Sequence, residues 1–277
     1  MNQLPLQRSM VHVNGVDLLV RDTATDLPPM LCLHGRWGRG ETWSELTARY
    51  RDRYRIIAPD QRGHGLSSKP RTRYAPEDLA EDAHQLLHSL GATPAIAVGH
   101  SMGGRTAGFL AALHPGDVRA LAVLDINADG GDAIPGVPLE QVPGVDALTA
   151  DWPTPYLTYA DALRDLRQRF PRATNVRYFQ ESLTGRAEGY DFMFSRWAMS
   201  ALETYLHGWL HLLPRIRCAT LLVRGTESSA LTKEQAERMR PLIQDCTYVE
   251  ITDSDHMVYV DNPKEFDPAF DAWLAHL

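Results

Sequence analysis

Cysteine is scarce in this chain. Cys32, Cys218 and Cys246 are the three in 277 residues. Odd in number, far apart and within or beside apolar runs, they exclude a disulfide framework and a cysteine-built metal site, and they fit a reducing compartment. Long apolar runs are missing as well. No stretch approaches the roughly 20 apolar residues a membrane-spanning helix needs. The segment Met1 to Arg8 has no apolar core of signal-peptide length, so the expected location is the cytoplasm. Positive charge is not in excess either. Lys and Arg number 28 against 35 Asp and Glu, a formal charge of −7, which argues against nucleic acid or an anionic membrane as partner. Internal repeats and low-complexity tracts are absent, and no cofactor or metal is expected.

What remains is an ordinary globular composition, 44% hydrophobic and 23% charged, in a chain long enough for a large core. Its length fits one domain with an insertion better than two full domains. A homodimer is compatible with this composition; the expected partner is otherwise a small molecule.

The centre of the sequence is Gly99-His100-Ser101-Met102-Gly103-Gly104-Arg105. It follows the apolar run Pro94 to Val98 and precedes a helical pattern over Thr106 to Leu113. Strand, tight turn and helix in that order make Gly-x-Ser-x-Gly a nucleophile elbow. The glycines have a steric reason: side chains two before and two after Ser101 would collide with the neighbouring helix and strand. The serine hydroxyl then projects beside a helix N-terminus, where developing negative charge is stabilised.

Read in order, the chain alternates. Two strand-like runs over Val11 to Val20 flank Asn14-Gly15, a hairpin signal. Met30 to His34, Tyr54 to Ala58 and Leu121 to Ile126 are further strands, and continuous apolarity implies a sheet buried on both faces. Helical spacing covers Glu41 to Tyr50 and Pro76 to Leu90, the latter with a proline start and Gly91 as its stop. From about Asn127 the pattern breaks into Asp129-Gly130-Gly131-Asp132, a run of prolines (Pro135, Pro138, Pro143, Pro153, Pro155) and several helical segments ending near Pro214. Residues 131–214 hold 12 of the 23 aromatic residues. Such a segment needs an apolar partner: most of its rings form its own core, and a few are expected to line a pocket beneath it. Alternation resumes with a strand at Ala219 to Val223, a helix at Lys233 to Arg240, a strand at Thr247 to Ile251 and a helix at Pro263 to Leu277. Such alternation predicts a parallel sheet covered on both faces.

Three motifs, His34-Gly35-Arg36-Trp37-Gly38, Asp60-Gln61-Arg62-Gly63-His64-Gly65 and the elbow, together with Asp255-His256 ahead of Asn262-Pro263, resemble the α/β-hydrolase family along essentially the whole chain. The resemblance implies an α/β-hydrolase fold: a mostly parallel eight-stranded sheet with helices on both faces and a helical cap. Residues 1–130 and 215–277 would be the core, and 131–214 the cap or lid. It also implies Ser101 as nucleophile and His256 as general base, with His34, His64 and His100 in structural roles. The backbone N–H groups of Arg36 and Met102 would form the oxyanion hole. The Arg36 side chain is not needed for that hole; it faces solvent or meets a polar or anionic part of the substrate.

One position departs from the family. Most relatives carry the triad acid in Gly-x-x-Asp after the strand corresponding to Thr220 to Val223, and this chain has Gly225-Thr226-Glu227-Ser228. Asp125, at the end of the preceding core strand, is the leading alternative, since a carboxylate there is costly to bury without a partner. Glu227 is the other candidate.

The resulting expectation is a serine esterase or lactonase acting through an acyl-enzyme on a small, largely apolar substrate. Cysteine or aspartate at 101 would point to dienelactone hydrolases, dehalogenases or epoxide hydrolases; serine sets these aside. Amidase, carbon–carbon bond hydrolase and cofactor-free perhydrolase chemistry stay open, as does a slow or non-catalytic small-ligand receptor on the same fold.

Overall fold

The computed structural model describes residues 6–131 and 136–277; Asp132 and Pro135 of the central loop, and the first five residues of the N-terminal segment, lie outside the described residues. Eight strands form one sheet: β1 (Gln7–Val13), β2 (Val16–Asp22), β3 (Pro29–Leu33), β4 (Arg55–Pro59), β5 (Ala95–His100), β6 (Val118–Leu124), β9 (Ala219–Gly225) and β10 (Cys246–Ile251). Their spatial order is β1-β2-β4-β3-β5-β6-β9-β10. β2 runs antiparallel to β1 and to β4, and every other pairing is parallel. Asn14 and Gly15 both have positive φ at the β1–β2 turn, the conformation that a two-residue hairpin of matching twist requires.

Alternation along β3 shows how the sheet is buried. Met30 and Cys32 join one core, and Leu31 and Leu33 the other. Helices α1 (Ser44–Tyr50) and α9 (Pro263–Leu274) cover the first face through Leu46, Tyr50, Phe266, Phe270 and Trp273. Helices α2 (Pro76–Ser89), α3 (Met102–Leu113) and α7 (Lys233–Met239) cover the second through Leu86, Phe109, Leu110 and Met239. The helix expected from residue 41 begins instead as a 3₁₀ turn, Gly40–Trp43, and becomes α-helical at Ser44.

Between β6 and β9 lie α4 (Tyr159–Arg169), α5 (Ala173–Gln180) and α6 (Arg196–Thr204), with a hairpin of β7 (Leu183–Arg186) and β8 (Gly189–Phe192). A short helix, α8 (Val258–Asp261), precedes α9. The hairpin corrects the all-helical reading of this segment: its strands are only four residues each, too short to carry a clear period-2 signal. The rings of the segment pack on one another. Trp152 lies 5.0 Å from Phe179 and 4.9 Å from Phe192, and Phe170 stacks on Phe179 at 4.7 Å between centroids.

The segment leaves and rejoins the sheet at one place. Gly208 N–H donates to Gly131 O and Trp209 N–H to Ala128 O, both at 2.9 Å. Arg105 of α3, buried, donates to His207 O at 2.6 Å and to Asn127 O at 3.3 Å. Burial pushes its guanidinium down to about 10, so it still carries its charge at neutral pH.

Candidate active site

Ser101 sits between β5 and α3 with φ 54° and ψ −120°, a conformation that L-residues other than glycine rarely adopt. Its neighbours make the turn possible. A Cβ on Gly99 would lie 2.1 Å from Gly103 O, and one on Gly103 would lie 2.0 Å from Leu33 O. The first is the collision with the helix and the second the collision with the strand that the motif predicts. A Cβ on Gly35 would approach the Ser101 Cβ to 3.2 Å, so the His34-Gly35 loop passes directly beside the serine. Among the described residues neither the Arg36 N–H nor the Met102 N–H has an acceptor. For Met102, the first residue of α3, this is the ordinary state of an opening helical turn.

Asp125 follows β6 with φ 52° and is wholly buried. Its cost is offset by three donors. Gly225 N–H lies 3.0 Å from Oδ1, the Ser228 hydroxyl 2.5 Å from Oδ2, and His256 Nδ1 2.7 Å from Oδ2. A buried carboxylate without such partners would be strongly unfavourable. The loop carrying His256 is held close by the loop after β9: Thr226 N–H donates to Ile251 O and Glu227 N–H to Ser254 O. A Cβ on Gly225 would lie 2.2 Å from Asp255 O, so only glycine permits this approach. The structure thus brings His256 and Asp125 together. Glu227 points elsewhere, half-exposed and ion-paired with Arg172.

The three other motif histidines are buried. His34 Nδ1 donates to Gly35 O at 2.8 Å, and its Nε2 accepts from Gln61 N–H at 2.9 Å; desolvation pushes its pKa down to about 3. His64 Nδ1 donates to Arg62 O, and His100 Nε2 donates to His256 O. Burial lowers the pKa of both as well. His64 Nε2 and His100 Nδ1 have no partner.

Ser101 and His256 line the same cavity, of about 320 Å³. Its aromatic walls are Trp37 and Tyr74, and the inserted segment contributes Leu202, Glu203 and Leu206. None of the segment's described rings lines the cavity, which corrects the expectation that a few would; they pack on one another and on the sheet domain, Trp197 against Tyr74, Tyr178 against His100 and Trp209 against Phe109. The Arg36 guanidinium lies over the Trp37 ring at 3.9 Å and pairs with Glu203 at 2.6 Å. Sequence reasoning missed Glu203 and Ser228. Nothing local marks Glu203, whereas Ser228 stands at the position of the family's usual acid.

Comparison with known proteins accords with this geometry. A family model described as the alpha/beta hydrolase fold matches residues 28–263. The chain is 32% identical over 266 residues to 2-(acetamidomethylene)succinate hydrolase of Mesorhizobium japonicum, covering 92% of this chain and 90% of that one. It is 24% identical to (E)-2-((N-methylformamido)methylene)succinate hydrolase of Acinetobacter baylyi, covering 89% and 90%. The crystal structure of E-2-(acetamidomethylene)succinate hydrolase superposes with a TM-score of 0.84 at 26% identity, covering 98% of this chain and 99% of that one. The chain belongs to the alpha/beta hydrolase family, as a member with the full eight-stranded sheet.

Proposed function

We propose that this protein is a serine hydrolase that opens a carboxylic ester or lactone through an acyl-enzyme. The observation that carries this reading is Ser101 and His256 on one cavity wall, with His256 Nδ1 2.7 Å from the buried Asp125. Asp125 holds the imidazole with Nδ1 protonated, which leaves Nε2 as the base. Nε2 takes the Ser101 hydroxyl proton as Oγ attacks the carbonyl carbon, and it returns that proton to the leaving oxygen as the tetrahedral intermediate collapses. The oxyanion is stabilised by the Arg36 and Met102 N–H groups, each such donor being worth about 3–4 kcal/mol in the transition state. Water, activated by the same histidine, then releases the acyl group. The segment 131–214 acts as the cap, supplying Leu202, Glu203 and Leu206 to the substrate.

A second reading is favoured by two observations: both relatives above are hydrolases named for substituted methylenesuccinates, and a guanidinium borders this cavity. In it the same three residues cleave an amide-like bond of a substrate that carries a carboxylate. Fluorophosphonate labelling of the intact protein, followed by turnover of aryl esters, lactones and 2-(acetamidomethylene)succinate, separates the cases. Labelling at Ser101 with ester or lactone turnover supports the first reading. Labelling with turnover of the succinate derivative alone replaces it with the second. No labelling at Ser101 overturns both and favours a ligand receptor.

A further inference from the structure

At the end of the sheet opposite Ser101, two histidines converge on one buried carboxylate and a third stacks beside them. His84 and His88 are four residues apart on α2 and so share a face. Both reach Asp117, in the turn between α3 and β6: His84 Nδ1 lies 2.5 Å from Oδ2 and His88 Nε2 2.9 Å from Oδ1. His114, just past α3, stacks on His84 with ring centroids 3.9 Å apart, and its Nε2 lies 3.4 Å from Glu81 Oε2. The donor atoms of His84, His88 and Asp117 all lie within 4.8 Å of one another. Asp117 is anchored by its backbone as well, its N–H donating to His114 O and its carbonyl accepting from Ala95 N–H at 2.8 Å.

We propose that His84, His88 and Asp117 form a binding site for a single zinc ion, separate from the catalytic cavity. Two imidazoles and one carboxylate are a donor set that zinc accepts, with water completing the tetrahedron. Two histidines at i, i+4 on one helix face can both reach a single ion. The surroundings favour a cation too: α2 ends at Ser89 and α3 at Leu113, so the negative ends of two helix dipoles lie beside the cluster. Asp117 is nearly buried, whereas His88 is half-exposed. The ion therefore has a fixed anchor on one side and an open approach on the other. His114 acts by stacking on His84 and holding its ring, and Glu81 by bonding to His114. Bound zinc would tie α2 to the α3–β6 turn. Since α3 is 12 residues long, it does so about 18 Å along that helix from Ser101.

The test is zinc titration of the full-length, chelator-stripped protein by calorimetry, with thermal unfolding measured in parallel. One zinc ion per chain and an unfolding midpoint that climbs with free zinc are expected. His88→Ala should weaken zinc binding by at least about tenfold while leaving hydrolysis unchanged, and His114→Ala should weaken it by less. No uptake even at millimolar zinc, or uptake that His88→Ala leaves intact, would overturn the proposal. A greater loss in His114→Ala than in His88→Ala would overturn the ligand assignment in favour of Glu81, His84 and His114.

Discussion

The Ser228 hydroxyl donates to Asp125 Oδ2 at 2.5 Å, and that same oxygen lies 2.7 Å from His256 Nδ1. Ser228 occupies the fourth position of Gly225-Thr226-Glu227-Ser228, where the family's usual motif has aspartate. The position without the usual acid thus holds a carboxylate all the same, that of Asp125 at the end of the neighbouring strand. Ser228 is fixed in turn, its Oγ accepting from Ala230 N–H at 3.0 Å.

Exchanging these two positions tests the arrangement. Asp125→Asn should lower kcat by roughly a thousandfold or more, about 4 kcal/mol of transition-state stabilisation. Ser228→Ala should cost about tenfold, the scale of one hydrogen bond to a charged group. Adding Ser228→Asp to Asp125→Asn should recover part of the loss, because the new carboxylate starts from an atom already in contact with the old one. Glu227→Gln should cost less than about tenfold, since Glu227 belongs to an exposed ion pair with Arg172. Steady-state kinetics on one aryl ester decides all four.

Ser101→Ala should abolish fluorophosphonate labelling and lower turnover by several orders of magnitude with the fold intact by circular dichroism. Residual activity within tenfold of the parent would remove Ser101 from the role of nucleophile.

Arg36→Ala separates side chain from backbone. Its N–H survives the substitution, so kcat on a small neutral acetate ester should stay within about threefold, whereas loss of an oxyanion donor costs a hundredfold or more. Glu203 loses its partner, so KM for carboxylate-bearing esters should rise relative to neutral ones. An equal change for both kinds of ester would show that the guanidinium does not face the substrate.

Acid should destabilise the protein early. His34 stays neutral in the folded chain down to about pH 3, and burial also holds His64 and His100 neutral. The unfolded chain takes up these protons as pH falls through about 6.5, so stability is full above that pH and declines below it. His34 contributes a slope of about 1.4 kcal/mol per pH unit over that range, and His64 and His100 act in the same direction. Urea unfolding between pH 7 and 4 checks this; stability unchanged to pH 4 would contradict it.

Replacing residues 132–206 with a short Gly/Ser linker should leave the sheet folded, because the two retained ends already touch through Gly208 and Gly131. Selectivity among acyl chain lengths should change sharply, as Leu202, Glu203 and Leu206 leave the cavity wall. Unchanged selectivity would show that the segment does not contact substrate.

The sheet and the elbow were legible because their signals are local. Asn14-Gly15 announces a hairpin, and Gly99, Gly103 and the apolar run ahead of Ser101 are each dictated by atoms within a few ångströms. Asp125 was legible for a different reason: a carboxylate closing a strand as apolar as Leu121 to Leu124 must find partners. The rest depends on distant pairings. The strands of the β7–β8 hairpin are four residues each, too short for their alternation to stand out, and the Glu203–Arg36 pair joins residues far apart in sequence with nothing in either neighbourhood to signal the other. Most of the segment's twelve aromatic residues are expected in a core and a few on the cavity wall; none of the described rings lines that wall, and buried rings are indistinguishable by composition from rings that face a substrate.

Arg105 stands one helical turn after Ser101 and grips the chain at Asn127 and at His207, where the inserted segment departs and returns. The helix that follows Ser101 is thus the mount for the inserted segment. Exchanging the residues between those two carbonyls would leave this clasp on α3 in place. The same clasp defines a natural cassette: a different cap of any length could be accommodated there, provided that its two ends present a carbonyl oxygen to that guanidinium.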